Sequence, residues 1–182
     1  MRRTRQDRPN SGWQQIVRLI LLAVLAAVTS MYGRKHMNSN TKYDPVPADV
    51  RGAARPIDGD SLFVGANEVR LKGIDAPEGR QTCSREGRTW DCGNAARDEL
   101  SRLIGRDIVV CSASERDQHG RVLGFCSAGG RDLNAGMVSS GLALAYGGYT
   151  REESEARAQK RGLWAGEFER PRDWRHERGI GL

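Results

Sequence analysis

The stretch PIDGDSLFVGANEVRLKGIDAPEG, residues 56–79, places several acidic side chains close to an arginine. Asp60 and Asp75 stand at the two ends of a largely apolar segment, Arg70 lies inside it, and Glu78 follows Asp75 by three positions. If the segment forms a hairpin, the end of its second strand returns to the start of its first, so that Asp60 and Asp75 approach each other. Two nearby carboxylates repel unless a cation lies between them. Oxygen ligands of this kind, with backbone carbonyls, suit Ca²⁺.

Each of these residues also has an ordinary structural interpretation. Asp58-Gly59 is a strong turn signal that needs no function, and Asp60 and Asp75 taken alone are more simply solvated turn acids. Arg70 taken alone is an exposed strand arginine, and Arg121, in DQHGR, is an arginine at the end of a turn.

Considered together, these acids and arginines favour a functional site over the separate structural interpretations. Asp60 and Asp75 supply two cation ligands, and Glu78 supplies a further carboxylate that can take a proton from water or position it. Arg70 and Arg121 supply planar guanidinium groups that bind phosphate through two hydrogen bonds and stabilise developing negative charge. A metal ion that polarises phosphate and orients water completes this set. The combination therefore indicates phosphodiester hydrolysis.

The elements that must position these residues are short strands and helices. SLFVGANEVRLKGI predicts a hairpin around Gly65-Ala66-Asn67, in which Arg70 and Lys72 face away from Val69 and Leu71. GNAARDELSRLI predicts a helix, and DIVVCSA and RVLGFCSA predict two adjacent antiparallel strands. DLNAGMVSSGLA predicts a short helix capped by Asp132. TREESEARAQKRGLW predicts another, with Thr150 as N-cap and Glu153 completing a capping box.

This order predicts a mainly β fold with packed helices, of the α+β class. About five short strands indicate a small barrel, and a five-stranded barrel of this kind is the OB-fold, which often binds nucleic acid. We expect residues 51–176 to form this domain, residues 34–50 to form a linker, and residues 177–182 to form a tail.

The N-terminus accounts for most of the net charge of +6. Residues 1–50 carry eight Lys/Arg and three Asp/Glu, whereas residues 51–182 carry 21 and 20. Basicity alone is therefore weak support for nucleic-acid binding. A positive leader followed by the apolar block at 19–33 predicts that residues 1–33 are either a cleaved signal peptide or an uncleaved membrane anchor. Either one places the following domain outside the cytoplasm, in the periplasm or secreted.

The four cysteines support export. They lack the spacing of a zinc site, and an even number in an exported chain indicates two disulfides. Among three possible connectivities, the sequence favours Cys83–Cys92, which closes a small local loop, and Cys111–Cys126, which joins the two adjacent strands.

Three ordered motifs resemble the thermonuclease family, the staphylococcal nuclease-like Ca²⁺-dependent phosphodiesterases with an OB-fold, from about residue 55 to 175. The motif D-G-D-[ST] occurs at 58–61, R-L-x-x-[IV]-D-x-P-E at 70–78, and D-x-x-G-R at 117–121. The terminal R-G-L-W at 161–164 is also frequent in the family. A cysteine-closed loop, GRQTCSREGRTWDCG, replaces the lysine-rich loop of the best-known member.

The resemblance implies roles for individual residues. Asp60, Asp75 and the carbonyl of Ala76 would bind Ca²⁺, with Ala76 in place of a threonine common in the family. Glu78 would act on the attacking water, while Arg70 and Arg121 would hold the phosphate. Three further residues would line the nucleotide pocket or stack on a base: Tyr146, Tyr149 and His119. For these three, a surface or half-buried aromatic and a solvated turn histidine remain alternatives.

The leading hypothesis is therefore an exported, monomeric, Ca²⁺-dependent nuclease acting on DNA or RNA, in contact with the membrane if its N-terminal segment is not cleaved. The alternatives are a catalytically silent OB-fold module that binds nucleic acid or protein, and a structural domain of the cell envelope. Silent relatives are expected to lose an arginine or the glutamate, and this chain keeps both arginines and Glu78.

Overall fold

The computed structural model describes residues 16–26, 28 and 46–180, which belong to two separate units, Met1–Pro45 and Val46–Leu182. In the first unit, residues 16–26 and 28 are helical (α1), and their large apolar side chains are exposed. Within the described ranges, no helix combines the length and apolarity needed to cross a membrane. Most of the predicted signal or anchor, and residues 34–45 of the predicted linker, lie outside the described residues.

The second unit is built on a twisted set of short strands with helices packed against it. Its strands are β1 (Asp49–Gly52), β2 (Ala54–Pro56), β3 (Ser61–Val64), β4 (Asn67–Leu71), β5 (Ile74–Asp75), β6 (Cys83–Arg85), β7 (Arg88–Trp90), β8 (Val109–Arg116), β9 (Val122–Ala128), β10 (Arg131–Asp132) and β11 (Leu144–Ala145). Its helices are α2 (Cys92–Ile104), α3 (Leu133–Ser139), α4 (Thr150–Ala158) and α5 (Pro171–Glu177), with a 3₁₀ helix at Gly162–Ala165. The α+β class with a mainly β sheet, predicted from the sequence, is confirmed.

The main sheet has the order β1-β8-β9-β4-β3-β2, with β10 beside β9. β4 and β9 run parallel, and the other pairs in this sheet are antiparallel. The predicted hairpin is present as β3 and β4, which pair Ser61 with Arg70. The pairing of β4 with β9 brings the strand that carries Arg70 beside the strand that follows Arg121, because Val69 lies opposite Val122.

The core lies between the sheet and α2 and α3. In β4, Val69 and Leu71 are buried, while the Arg70 side chain between them is 18% exposed on the other face, as the alternation predicts. The helix α2 buries Ala96, Leu100 and Ile104, which recur at helical spacing on one face. Other buried apolar residues of this core are Leu62, Val64, Val109, Val122, Leu133, Met137 and Val138.

Buried Asn134 fixes α3 to the strands that carry the site. Its side-chain amide donates to the carbonyls of Lys72, at 2.8 Å, and Gly124, and its carbonyl oxygen accepts from the N–H of Cys126 at 2.9 Å. Because a buried amide costs free energy unless it is hydrogen-bonded, these bonds hold the end of β4 against β9 in one register.

Both favoured disulfides are present, Cys83–Cys92 and Cys111–Cys126. The second joins residues that lie directly opposite each other in β8 and β9. The first ties the β6–β7 hairpin to the start of α2. No free cysteine occurs in the described part of the chain.

The structure differs from the sequence prediction at several elements. β1 begins at Asp49, inside the segment expected to be a linker, and the β6–β7 hairpin and α5 were not predicted. The capping box at Thr150 is wrong, because Tyr149 is the N-cap, with φ 60°, and it makes no side-chain capping bond. Glu153 instead accepts from the N–H of Ala145 at 3.1 Å, so it binds the start of α4 to β11.

Candidate active site

Asp58 shapes the chain just before β3. One of its carboxylate oxygens accepts from the backbone N–H groups of Asp60, at 3.0 Å, and Ser61, at 2.7 Å. Gly59 does not adopt a positive φ, but a Cβ there would lie 2.6 Å from the Cβ of Ala96 and 2.7 Å from that of Ala76. The glycine of this motif is therefore required by close packing against α2 rather than by turn conformation.

Asp60 lies at the base of the site and is 2% exposed. Its Oδ1 accepts from Nη1 of Arg70 at 2.6 Å and from Oγ of Ser61, and its Oδ2 accepts from the N–H of Ala76 at 2.8 Å. The other terminal nitrogen of Arg70 donates to Oδ1 of Asp75 at 3.0 Å. One guanidinium group therefore bridges Asp60 and Asp75, and the hairpin brings these two carboxylates together as predicted.

A residue that the sequence reasoning did not identify, Arg175 of α5, completes this cluster. Its Nη2 donates to Oδ1 of Asp75 at 2.9 Å, and its Nη1 donates to Oε1 of Glu78 at 2.8 Å. Arg175 lies 97 residues from Glu78 in the chain, so no local pattern near the acidic motif points to it.

Two carboxyl groups in this cluster, Asp58 and Asp75, have raised pKa values although two arginines lie beside them. Burial raises the pKa of Asp58 to about 7, and the charges of Asp60 and Glu78 add to this effect. Burial and the charge of Asp60 also raise the pKa of Asp75, although Arg175 and Arg70 act in the opposite direction. An additional positive charge at the cluster would therefore be favourable.

The loop that carries Glu78 is fixed to α2 and to Gln81. The N–H of Gln81 donates to the carbonyl of Glu78 at 2.7 Å, and the side-chain carbonyl of Gln81 accepts from the N–H of Glu78 at 3.3 Å. Gly93, in the first turn of α2, packs so closely that a Cβ there would overlap the carbonyl oxygen of Glu78. The backbone of the proposed general base is thus held on two sides.

Arg121 is oriented by Asp117, the first residue of the D-x-x-G-R motif. One oxygen of Asp117 accepts from the N–H groups of His119 and Arg121, and the other accepts from Nε of Arg121 at 2.7 Å. Burial would raise the pKa of Asp117, but the hydrogen bonds from Arg121 outweigh it and the pKa is lowered. Asp117 was part of the quoted motif, yet its positioning contact was not anticipated.

Two neighbouring pockets contain the remaining site residues. The first, of about 710 Å³, is lined by Arg70, Glu78, Arg121 and Arg175, and also by His119. The second, of about 670 Å³, shares Arg70, Asp117 and Arg175 with the first. It is also lined by two tyrosines, Tyr146 and Tyr149. The structure therefore brings both arginines and Glu78 to one pocket and places the two tyrosines in the adjoining one.

Tyr146 and Tyr149 differ in their environments. Tyr146 is 68% exposed, as an aromatic platform for an incoming ligand would be. Tyr149 is half-buried against the core, and burial together with the charges of Asp132 and Glu152 raises its pKa to about 12. His119 is exposed at the mouth of the first pocket.

The donor chemistry of the cluster fits a hard divalent cation. Asp60 and Asp75 are both close enough to contact one guanidinium group, and carboxylate oxygens are the ligands that Ca²⁺ prefers. In the described ranges, however, no set of three or more His, Cys, Asp or Glu side chains is already arranged to hold a metal ion. Their oxygens are instead turned toward Arg70 and Arg175 in this conformation.

Comparison with known proteins agrees with this geometry. Residues 68–166 match the model of the family described as "Staphylococcal nuclease homologue". The chain belongs to this family. An Escherichia coli protein named "Uncharacterized endonuclease" is 35% identical over 144 residues, which cover 72% of this chain and 88% of that protein. As a member of the staphylococcal nuclease homologue family, the protein is a hydrolase of the nuclease type.

Other relatives have different lengths. Escherichia coli "Protein ParB" is 33% identical over 156 residues, which cover 73% of this chain and 83% of that protein. "Probable staphylococcal-like nuclease CAN2" from Oryza sativa subsp. japonica is 34% identical over 125 residues, 65% of this chain but only 32% of the plant protein. The matched family region begins after Asp60 and ends before Arg175.

Proposed function

We propose that this protein is an exported, Ca²⁺-dependent nuclease that hydrolyses phosphodiester bonds of DNA or RNA. The observation that carries the proposal is the single pocket lined by Arg70, Glu78 and Arg121, at whose edge Arg70 bridges Asp60 and Asp75. The residues proposed to bind phosphate, to activate water and to hold the cation are therefore close together. We infer that the sheet closes into a five-stranded OB barrel, in which Arg70 lies in β4 and Arg121 directly precedes β9.

The chain's own residues have distinct roles in the proposed reaction. Glu78 accepts a proton from the attacking water, or positions that water, as the new phosphorus–oxygen bond forms and the bond to the leaving oxygen breaks. Arg70 and Arg121 stabilise the negative charge that grows on the phosphate oxygens. Asp117 holds Arg121 through Nε, so the terminal nitrogens of Arg121 are the donors for phosphate.

Ca²⁺, when bound, would supply Lewis acidity toward a phosphate oxygen and would orient the water. Asp60 and Asp75 are the side chains that would hold it, together with the carbonyl of Ala76. This assignment is supported by the adjacency of the two carboxylates and by the raised pKa of Asp75.

Tyr146, Tyr149 and His119 are proposed to contact the substrate. Their support is that the tyrosines line a pocket continuous with the phosphate site through Arg70, and that His119 lines the phosphate site itself. Stacking of a base on an aromatic side chain tolerates any sequence, which suits a nuclease without strict base specificity.

Export is supported by two features. The positive leader and the apolar block are typical of a segment that directs a chain across the membrane, and the two disulfides suit an oxidising compartment. Fractionation of cells expressing the full chain, followed by thiol labelling without reductant, tests this. Recovery of the protein in the cytoplasm with four reactive thiols would reject export.

The activity is tested with residues 46–182, the second unit of the structure, incubated with labelled DNA and RNA, with Ca²⁺ or with a chelator. We expect cleavage only with the metal. Glu78→Gln should lower turnover by about 10²–10⁴ because it removes the proton acceptor, while leaving the unfolding temperature nearly unchanged. Activity of this variant equal to that of the native chain would remove Glu78 from the mechanism, and cleavage that is unaffected by chelation would remove Ca²⁺.

A further inference from the structure

The segment that follows the 3₁₀ helix is fixed to the loop that bears Glu78. Ser84 and Glu167 exchange two backbone hydrogen bonds, of 2.8 and 2.9 Å. Further along the same segment, the side-chain amide of Gln81 donates to the carbonyl of Glu169 at 2.7 Å. The chain then enters α5 at Pro171, which is buried. Arg175 therefore reaches the cluster from a helix whose start is anchored beside the loop that it contacts.

Gln81 is central to this connection because it is 0% exposed. The same side chain accepts from the N–H of Glu78 and donates to the carbonyl of Glu169. A buried amide needs hydrogen-bond partners at fixed positions, since each buried polar group left without a partner costs about 1–3 kcal/mol. The hydrogen bonds of buried Gln81 therefore fix the distance between the Glu78 backbone and the start of α5.

At the end of this connection, Arg175 bonds to two carboxylates that the proposed reaction uses differently. Its guanidinium spans Asp75 and Glu78, and all three side chains are at most 25% exposed. A planar guanidinium has its donors in a rigid fork, so it fixes the direction of each carboxylate as well as its charge. A flexible glutamate at the mouth of a pocket would otherwise sample several rotamers.

We propose that Arg175 is a positioning residue, whose guanidinium holds the carboxylate of Glu78 in a fixed orientation relative to Asp75. This inference rests on the proposed nuclease function. It extends the catalytic site beyond the region that matches the family model, which ends at residue 166. The opposite role, in which Arg175 occupies the cation position and blocks the site, predicts a different result in the experiment below.

The test compares Arg175→Ala and Arg175→Lys with Arg102→Ala in the full chain. Arg102 is a matched control because it too makes two side-chain hydrogen bonds to carboxylate oxygens, although both belong to Glu99 and lie on the exposed face of α2. For Arg175→Ala we expect kcat to fall about 10–100-fold, the range for a misplaced reacting group, with a smaller change in KM. Added guanidinium ion at millimolar concentration should restore part of the kcat of Arg175→Ala only.

Arg175→Lys should recover less than full turnover, because an ammonium group cannot form the fork. Unfolding temperatures are measured for all variants, and Arg175→Gln replaces the alanine variant if that one does not fold. Three outcomes would overturn the inference while the native chain remains active. The first is a kcat for Arg175→Ala equal to that of Arg102→Ala. The second is tighter Ca²⁺ binding by Arg175→Ala, measured by calorimetry, with undiminished turnover. The third is a loss of kcat in Arg175→Ala that added guanidinium does not rescue. An inactive native chain would instead reject the proposed function itself.

Discussion

Substitution of Gly93 by alanine tests whether α2 fixes the position of the Glu78 loop. Helix propensity alone predicts that this change stabilises the protein, whereas the close packing in this structure predicts that it lowers both stability and activity. Alanine stabilises a helix relative to glycine by up to about 1 kcal/mol, and Gly93 lies in the first turn of α2. A Cβ at this position, however, would overlap the carbonyl oxygen of Glu78 and lie 2.9 Å from its carbonyl carbon. The neighbouring atoms are backbone, so they cannot rotate out of the way.

The magnitude follows from the displacement that relieves this contact. Ordinary contacts between heavy atoms lie near about 3.5–4.0 Å, so the Glu78 backbone must move by on the order of 1 Å. A misplacement of about 1 Å can lower turnover by about 10². Overpacking costs about 1–3 kcal/mol, so that after the helix gain of about 1 kcal/mol a net destabilisation of up to about 2 kcal/mol remains.

The assay is the rate of DNA cleavage at saturating Ca²⁺, with the free energy of unfolding measured by denaturant titration. Gly79→Ala is the matched control, because Gly79 is next to Glu78 in the chain, has no positive φ and would place its Cβ in open space. We expect it to retain native turnover. A Gly93→Ala protein that is more stable than the native chain and equally active would refute the close packing of α2 against the Glu78 loop.

Three further predictions concern other parts of the fold. Asp117→Asn should release Arg121 and lower kcat/KM about tenfold, the size of a lost charge-assisted hydrogen bond, and unchanged kinetics would show that Arg121 needs no orienting partner. Replacing both Cys111 and Cys126 by alanine should cost about 3 kcal/mol of unfolding free energy, because the bridge spans 15 residues, and a loss below about 1 kcal/mol in denaturant titration would contradict this. The Tyr149 phenol has a raised pKa of about 12, so its contribution to stability is complete below pH 10 and declines as pH rises toward 12. Comparing tyrosinate absorbance of the native chain with that of Tyr149→Phe checks this, and ionisation of Tyr149 near pH 10 would show that it is not buried.

The parts of the site that the sequence could predict are those formed by local contacts. The second strand of a hairpin ends near the start of the first, which is why Asp60 and Asp75 were expected to lie close together. In the structure both carboxylates accept a hydrogen bond from Arg70. Alternation within one strand fixed the faces of Val69 and Arg70. The pairing of Cys111 with Cys126 likewise follows from two adjacent strands joined by a short turn.

The parts that escaped prediction depend on which segments pack against each other over long distances. Nothing in the residues around Arg175 indicates that α5 returns to the acidic cluster, because the contacts that place it there come from Gln81 and Ser84, some 90 residues earlier. Gly93 resembles any glycine at the start of a helix. The capping box at Thr150 failed for a more local reason, since β11, only a few residues earlier in the chain, offers Glu153 a backbone donor.

The balance of charge explains why the site needs partners from so many elements. Asp58, Asp60, Asp75 and Glu78 lie within electrostatic reach of one another, as the raised pKa of Asp58 and Asp75 shows, while Arg70 and Arg175 are the guanidinium groups that contact them. Two unit positive charges do not balance these acids, even though Asp58, with a pKa of about 7, is only about half ionised at neutral pH, so a bound cation would be favourable. If Arg175 were instead a substitute for that cation, removing it should strengthen Ca²⁺ binding without loss of turnover. The anchoring of α5 through buried Gln81 favours Arg175 as a permanent member of the site. A group that leaves when the cation binds would not need its helix fixed to the backbone of Glu78, the proposed general base.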